Sequence, residues 1–307
     1  MTDMRTSFVE AAVTLLDDDP RTAVVLADIS SDLFEDAARR HPDRVLNVGI
    51  REPLMVSVAG GLALSGMRPI AHSYAPFLIE RSFEQVKLDL SHQGASAVLV
   101  SVGASYDSTG SGRTHHAPGD VALMDTLPSW AVHVPGHADE AATLVSRAVG
   151  ADRPAYVRLS SSSNADAHHP ATPGALTILR TGRRAVVLVV GPLLDPVLEA
   201  TRDIDVTVAY ASTVRPLDLA GLRQAAAATV EGTHEPVSVV LVEPYLAATS
   251  ARLVGEAFVD RPHRLLSLGV DRIEARRYGS PADHDTLYGL DPTGLRGSIT
   301  AFLQART

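Results

Sequence analysis

Glu52 is followed by Pro53 and then by Val56, Ala59, Gly60, Ala63 and Leu64 at helical spacing, so its carboxylate falls at a strand-to-helix turn. Such a group stabilises a helix N-terminus through the macrodipole, and in a cleft it can hold or pass a proton. Further groups of this kind follow in His72-Ser-Tyr-Ala-Pro-Phe77, Arg81-Ser-Phe-Glu-Gln-Val86, Gly110-Ser-Gly-Arg-Thr-His-His116 and Ala117-Pro-Gly-Asp120. His115 and His116 carry imidazoles suited to proton transfer near neutral pH, and Arg81 and Arg113 can pair with anions. Tyr74 and Phe77 can supply a flat apolar wall; with six Phe and seven Tyr in the whole chain, two in one short segment is a concentration. Asp28, in Leu26-Ala-Asp-Ile-Ser30, sits at a strand end, where helix capping is its ordinary role. Core packing for the aromatics and a surface ion pair for Arg81 are the corresponding ordinary roles.

Composition narrows the chemistry. The 307 residues contain no cysteine, which excludes disulfides, thiolate metal sites and a cysteine nucleophile. A formal charge of -9 with scattered Lys and Arg argues against a nucleic-acid surface. The longest apolar stretch, Ala185 to Leu194, falls short of the roughly 20 residues of a membrane helix, and Thr2, Asp3 and Arg5 do not form an apolar signal core. The reading is a soluble, cytoplasmic protein.

To position these groups, the chain alternates short β-branched runs with longer amphipathic stretches, the pattern of a parallel sheet with crossover helices. Strands are expected at 23–27, 45–48, 69–71, 97–101, 131–134 and 155–159, and a helix from Arg81 to about His92. The polar segment from Ser160 through Gly174 reads as a linker. Beyond it, 185–190, 205–210 and 237–242 are apolar strands separated by helical segments. The expected fold is therefore two tandem α/β domains, 1–164 and 165–307, an architecture that by itself fixes no function.

In this order and spacing, the Glu52, Tyr74–Phe77, Arg81 and Gly110–Asp120 segments resemble the pyrimidine-binding domain of the transketolase and deoxyxylulose-phosphate synthase family. The likeness extends through Arg153–Arg158. It also covers Thr213–Asp218, Val242–Glu243, Gly269–Arg272 and Tyr288–Leu290, which look like the family's C-terminal domain. The resemblance implies thiamine diphosphate as cofactor: Glu52 would hydrogen-bond a pyrimidine ring nitrogen so that the cofactor's own amino group serves as base. Tyr74 and Phe77 would be the stacking aromatics and Asp28 an acidic neighbour of the cofactor. His115 would face the reacting sugar, with Arg81, Ser111, Arg113 and His116 as further substrate-side positions. The Gly-Asp-Gly motif that holds magnesium and the diphosphate does not occur in this sequence. The resemblance thus implies a separate N-terminal-half subunit carrying those ligands, in a two-plus-two heterotetramer, with this chain inactive alone. Glu243, Asp271 and Arg272 resemble C-terminal positions with no catalytic role expected.

Several positions depart from the family pattern. Gly110 and Ser111 stand where transketolases have Glu and Asp, Gly103 where a substrate histidine is usual, and Ser161 where an arginine clamps the sugar phosphate. Arg113 replaces a small residue or proline and offers an alternative clamp. These changes leave the cofactor residues in place and point to a non-standard substrate. The expected activity is transfer of a two-carbon ketol unit to an acceptor. The alternatives are the beta subunit of a pyruvate-dehydrogenase-like oxoacid decarboxylase, and a non-catalytic assembly subunit.

Overall fold

The computed structural model describes residues 2–229 and 235–305. Two sheets organise them. The first comprises β1 (Thr22–Leu26), β2 (Val45–Asn47), β3 (Arg68–Tyr74), β4 (Val98–Val102), β5 (Ala131–His133) and β6 (Ala155–Arg158), all parallel. The second comprises β7 (Thr177–Arg180), β8 (Val186–Val190), β9 (Thr207–Ala211), β11 (Val237–Leu246) and β12 (His263–Val270) in the order β12-β11-β8-β9-β7. Only its edge strand β7 is antiparallel.

Successive residues of a strand point to opposite faces, and the core follows that rule. Val24 and Leu26 join Phe8, Leu16, Val145 and Val149 beneath the helices Met4–Asp18 and Ala138–Gly150. Val25 and Ala27 face the other way, onto Met55, Val56 and Ala59 of the helix Glu52–Leu64. That second core runs on without a break into Val186, Leu188 and Leu241 of the other sheet, so the two halves share apolar packing.

Three strands carry too little pattern to be read from sequence. β7 and β12 are half-buried edges. The third, β10 (Thr213–Arg215), is three residues long, follows β9 in the chain, yet pairs antiparallel with β5 and closes the first sheet at order β10-β5-β6-β4-β3-β1-β2. A strand from the second half therefore completes the first sheet, which the tandem reading does not anticipate. In place of one helix from Arg81 to about His92, helical turns span Pro76–His92 with a break at Ser82, and those at Pro76–Arg81 and Val86–His92 are wide π turns. Proline is favoured at a first helical position, and the Ser82 hydroxyl donates to the Phe77 carbonyl five residues back at 2.9 Å, which supports the wide turn.

Two buried histidines tie this scaffold to pH. His72 on β3 pairs through Nδ1 with the Val100 carbonyl and through Nε2 with the Ser30 hydroxyl, each at 2.8 Å. Burial lowers its pKa from 6.5 to about 4, and burial does the same to His133 on β5. Both must be neutral in the fold, so their contribution is complete above pH 6.5 and is lost as pH falls through about 4. Glu243, raised by burial from 4.5 to about 7, acts oppositely, contributing below 4.5 and losing that contribution as pH rises through 7. Taken alone, His72 and His133 lower the unfolding free energy between pH 6.5 and 4.5 by on the order of 3 kcal/mol each, against an offset from Glu243 and from Asp107, Glu80 and Asp285, whose carboxyls burial also raises. Urea titrations should show that His72→Asn flattens this slope; an unchanged slope would contradict the assignment.

Candidate active site

Because β1 to β4 run parallel, their ends and the turns that follow gather at one edge of the sheet, the usual ligand edge of such folds. Glu52 opens its helix there and is 2% exposed. One carboxylate oxygen, Oε2, accepts from Arg81 Nη1 at 3.1 Å; the other has no partner among the described residues. The Arg81 guanidinium also lies 4.2 Å from the centre of the Phe77 ring. Phe77, Tyr74 and His115 meet edge to face, with centroids 6.1 Å apart for Tyr74–Phe77, 5.5 Å for Tyr74–His115 and 5.1 Å for Phe77–His115. Five of the residues singled out from sequence, Glu52, Tyr74, Phe77, Arg81 and His115, thus form one cluster.

Asp28 lies at the same edge with φ of 66°, an uncommon left-handed conformation for a non-glycine residue. Its carboxylate does not cap the short helical turn that follows. Instead it accepts from Asn47 Nδ2 at 3.1 Å while Asn47 Oδ1 accepts from the Asp28 amide at 3.1 Å, a side-chain bridge between the ends of β1 and β2. Nothing local in the sequence marks Asn47 for this role.

Ser111, Arg113 and His116 do not join the cluster. Ser111 is exposed. Arg113 reaches Glu274 at 3.1 Å and donates to the His116 carbonyl at 3.0 Å, so the alternative clamp is tied to the second half of the chain. His116 is buried, packs edge-on against His284 at 5.5 Å, and is held below its usual pKa by burial and then by His284. Arg113 and His116 line a cavity of about 450 Å³ together with Glu80, Asp271 and Arg272.

Gly103 and Ser161, where the sequence departs from the family pattern, open onto one smaller cavity of about 240 Å³ beside Tyr74, and Arg5 lines it too. Gly103 has φ of +72°, and a Cβ there would come within 2.4 Å of the Tyr74 ring. A side chain at this position would therefore displace the aromatic wall. Arg5, forty-seven residues before Glu52, escaped sequence reasoning because helix Met4–Asp18 meets the site only through the fold.

The histidine loop is held from beneath by a buried polar network. Arg158, at the end of β6, donates from Nε to Asp120 at 2.7 Å and from Nη2 to the Ser105 hydroxyl at 2.6 Å. The Tyr156 hydroxyl donates to the same Asp120 oxygen at 2.8 Å. Ser105 in turn donates to the Pro244 carbonyl of β11. Beside it, Tyr106 stacks on His284 and Tyr288 and donates to Asp285 at 2.6 Å. Among the described residues, no group of three or more His, Asp or Glu is arranged to hold a metal ion.

A parallel sheet thus gathers an acid, an aromatic wall and a histidine at its carboxyl edge. The chain belongs to the family described as "Transketolase, pyrimidine binding domain", which residues 1–165 match. It is 52% identical over 304 residues to an "Uncharacterized 33.6 kDa protein in fasciation locus" of Rhodococcoides fascians, covering 98% of this chain and 95% of that one. It is 31% identical over 194 residues, 60% of this chain and 62% of the relative, to one of the subunits of the apulose-4-phosphate transketolase of Actinobacillus succinogenes. Among solved structures, a split-gene transketolase described as an inactive beta4 tetramer superposes with a TM-score of 0.84 at 25% identity, covering 99% of both chains. The chain spans 42% of the length of the 1-deoxy-D-xylulose-5-phosphate synthase of Alkalilimnicola ehrlichii, to which it is 32% identical over 276 residues.

The network beneath the loop makes a direct prediction. Arg158→Met leaves the Asp120 charge buried and unpaired, and should destabilise the chain by about 3–5 kcal/mol in urea titration, with much of the loss recovered in Arg158→Met/Asp120→Asn. A cost near 1 kcal/mol, the value of a surface pair, would show that the network does not hold the loop.

Proposed function

We propose that this chain is the pyrimidine-binding subunit of a two-component, thiamine-diphosphate-dependent transketolase-like enzyme. The observation that carries the reading is the cluster of Glu52, Arg81, Tyr74, Phe77 and His115 at the carboxyl edge of the first sheet. The residues fit the cofactor's pyrimidine end: a buried carboxylate with one oxygen unpartnered stands beside an aromatic wall. When bound, the cofactor supplies the carbon nucleophile and the electron sink. Glu52 would hold a proton toward the pyrimidine ring through its unpartnered oxygen, while Arg81 keeps the other oxygen fixed. Tyr74 and Phe77 orient the ring and exclude water, while Asp28 borders the site one strand away. His115 moves or holds a proton on the substrate. Arg81, Ser111, Arg113 and His116 are assigned to the substrate side, with Arg113 and His116 acting at its outer margin through their contacts to the second half.

The functional units are 1–164, which carries the site, and 165–307, which serves association. A separate polypeptide supplies the diphosphate site with its magnesium ligands, in a two-plus-two heterotetramer in the cytoplasm. The likeness to one component of a multi-subunit transketolase and the split-gene superposition support the partner. Among the described residues no helix is long and apolar enough to cross a membrane, which is compatible with that location. The reaction is transfer of a two-carbon ketol unit; Gly103, Gly110, Ser111 and Ser161 support a substrate other than the usual sugar phosphate. An oxoacid-decarboxylating beta subunit is distinguished by donor preference.

Calorimetric titration of thiamine diphosphate with magnesium should show saturable binding to the complex with the partner subunit and none to this chain alone. In the complex, Glu52→Gln should weaken binding by about 1.5–3 kcal/mol, the cost of one hydrogen bond to a charged group. A well-formed complex that binds no cofactor would leave a non-catalytic assembly subunit.

A further inference from the structure

Away from the carboxyl-edge cluster, the chain holds a cavity of about 550 Å³ at the seam where β10 joins the first sheet. It opens near the starts of β5 and β6, at Ala131 and Ala155, the opposite end of the sheet from Tyr74 and Gly103. Its walls are apolar: Leu144 and Ala148 from helix Ala138–Gly150, Pro173 from the linker, and Pro216 and Leu217 from the second half.

The polar groups in it are few and mostly of one sign. Arg147 and Arg153 line the cavity, are exposed, and have no carboxylate partner among the described residues. Both bear on His133, whose pKa burial depresses first and these two charges further. His133 is nine-tenths buried; Nδ1 pairs with the Thr213 hydroxyl at 3.0 Å, and Nε2 has no partner among the described residues. The carboxylate that lines the cavity, Asp218, is already used, accepting from the Gly221 and Leu176 amides at 2.8 and 3.1 Å. No element of the proposed reaction uses any of these groups.

We propose that this cavity binds a small organic anion, a carboxylate or phosphate on an apolar body. The head is held by Arg147, Arg153 and the unpartnered edge of His133, and the body lies against Leu144, Ala148, Pro173, Pro216 and Leu217. Charge complementarity selects the ligand class: two unpaired guanidiniums at an apolar mouth attract an anion, whereas a neutral or cationic molecule leaves them unsatisfied. The cavity volume lies within the range of small-molecule sites. Because the walls come from both halves of the chain, the ligand clamps β10 and the linker onto the first sheet.

The test uses the full chain with octanoate as probe, and octanol and octylamine as neutral and cationic counterparts of similar size. Calorimetry should give saturable binding of octanoate near one per chain, with octanol much weaker and octylamine absent. Arg147→Glu/Arg153→Glu changes exposed positions only and should weaken octanoate at least about tenfold without lowering the unfolding midpoint. The proposal is overturned if octanoate does not bind, if octylamine binds equally, or if the double variant binds octanoate as the parent does. It is equally overturned if the double variant changes only the sedimenting mass, which would make the seam a contact between copies of the chain.

Discussion

Parallel strands can end only at one edge, and every feature of the candidate site depends on that constraint. Glu52, Tyr74 and Asp28 sit far apart in sequence, yet β2, β3 and β1 deliver them to the same rim because each strand pairs in parallel with its neighbour. The helix that Glu52 opens and the wide-turned helix after Tyr74 then fix what the rim presents. Within the π turn at Pro76–Arg81, Phe77 lies against His115 and Arg81 against the Glu52 carboxylate.

Holding the histidine loop is a second problem, and a buried charge answers it. Arg158 and Asp120 are almost fully buried, a costly placement that succeeds because Tyr156 and Ser105 satisfy the remaining groups. The same arginine thereby links the end of β6, the start of the loop and the β11 carbonyl of the second half. Tyr106 stacked on His284 and Tyr288, and His116 edge-on to His284, extend this contact. The second half is therefore part of the site's support, joined further by a shared core and by β10.

Sequence carried the central strands well, since β1, β4, β8 and β11 are buried on both faces and read as continuous apolar runs. It failed at β10, whose place in the first sheet is decided by long-range pairing, and at the half-buried edges β7 and β12. Among site residues, a short segment with a turn and an aromatic pair was legible, whereas Asn47, Arg5 and the Asp120–Arg158 pair were not. Their roles come from partners twenty or more residues away in most cases, and no local spacing encodes a partner. Arg113 shows the converse: its charge is conspicuous in sequence, but Glu274 decides where it points.

In the proposed function, Glu52 would promote proton loss at the cofactor's reactive carbon. Deuterium exchange at that carbon, followed by NMR in the complex at saturating thiamine diphosphate and magnesium, reads this step without any substrate. Exchange should be fast in the parent complex and at least about a hundredfold slower in Glu52→Gln, the scale of a lost proton-transfer group. Equal exchange in the two, with cofactor bound in both, would exclude this role for Glu52.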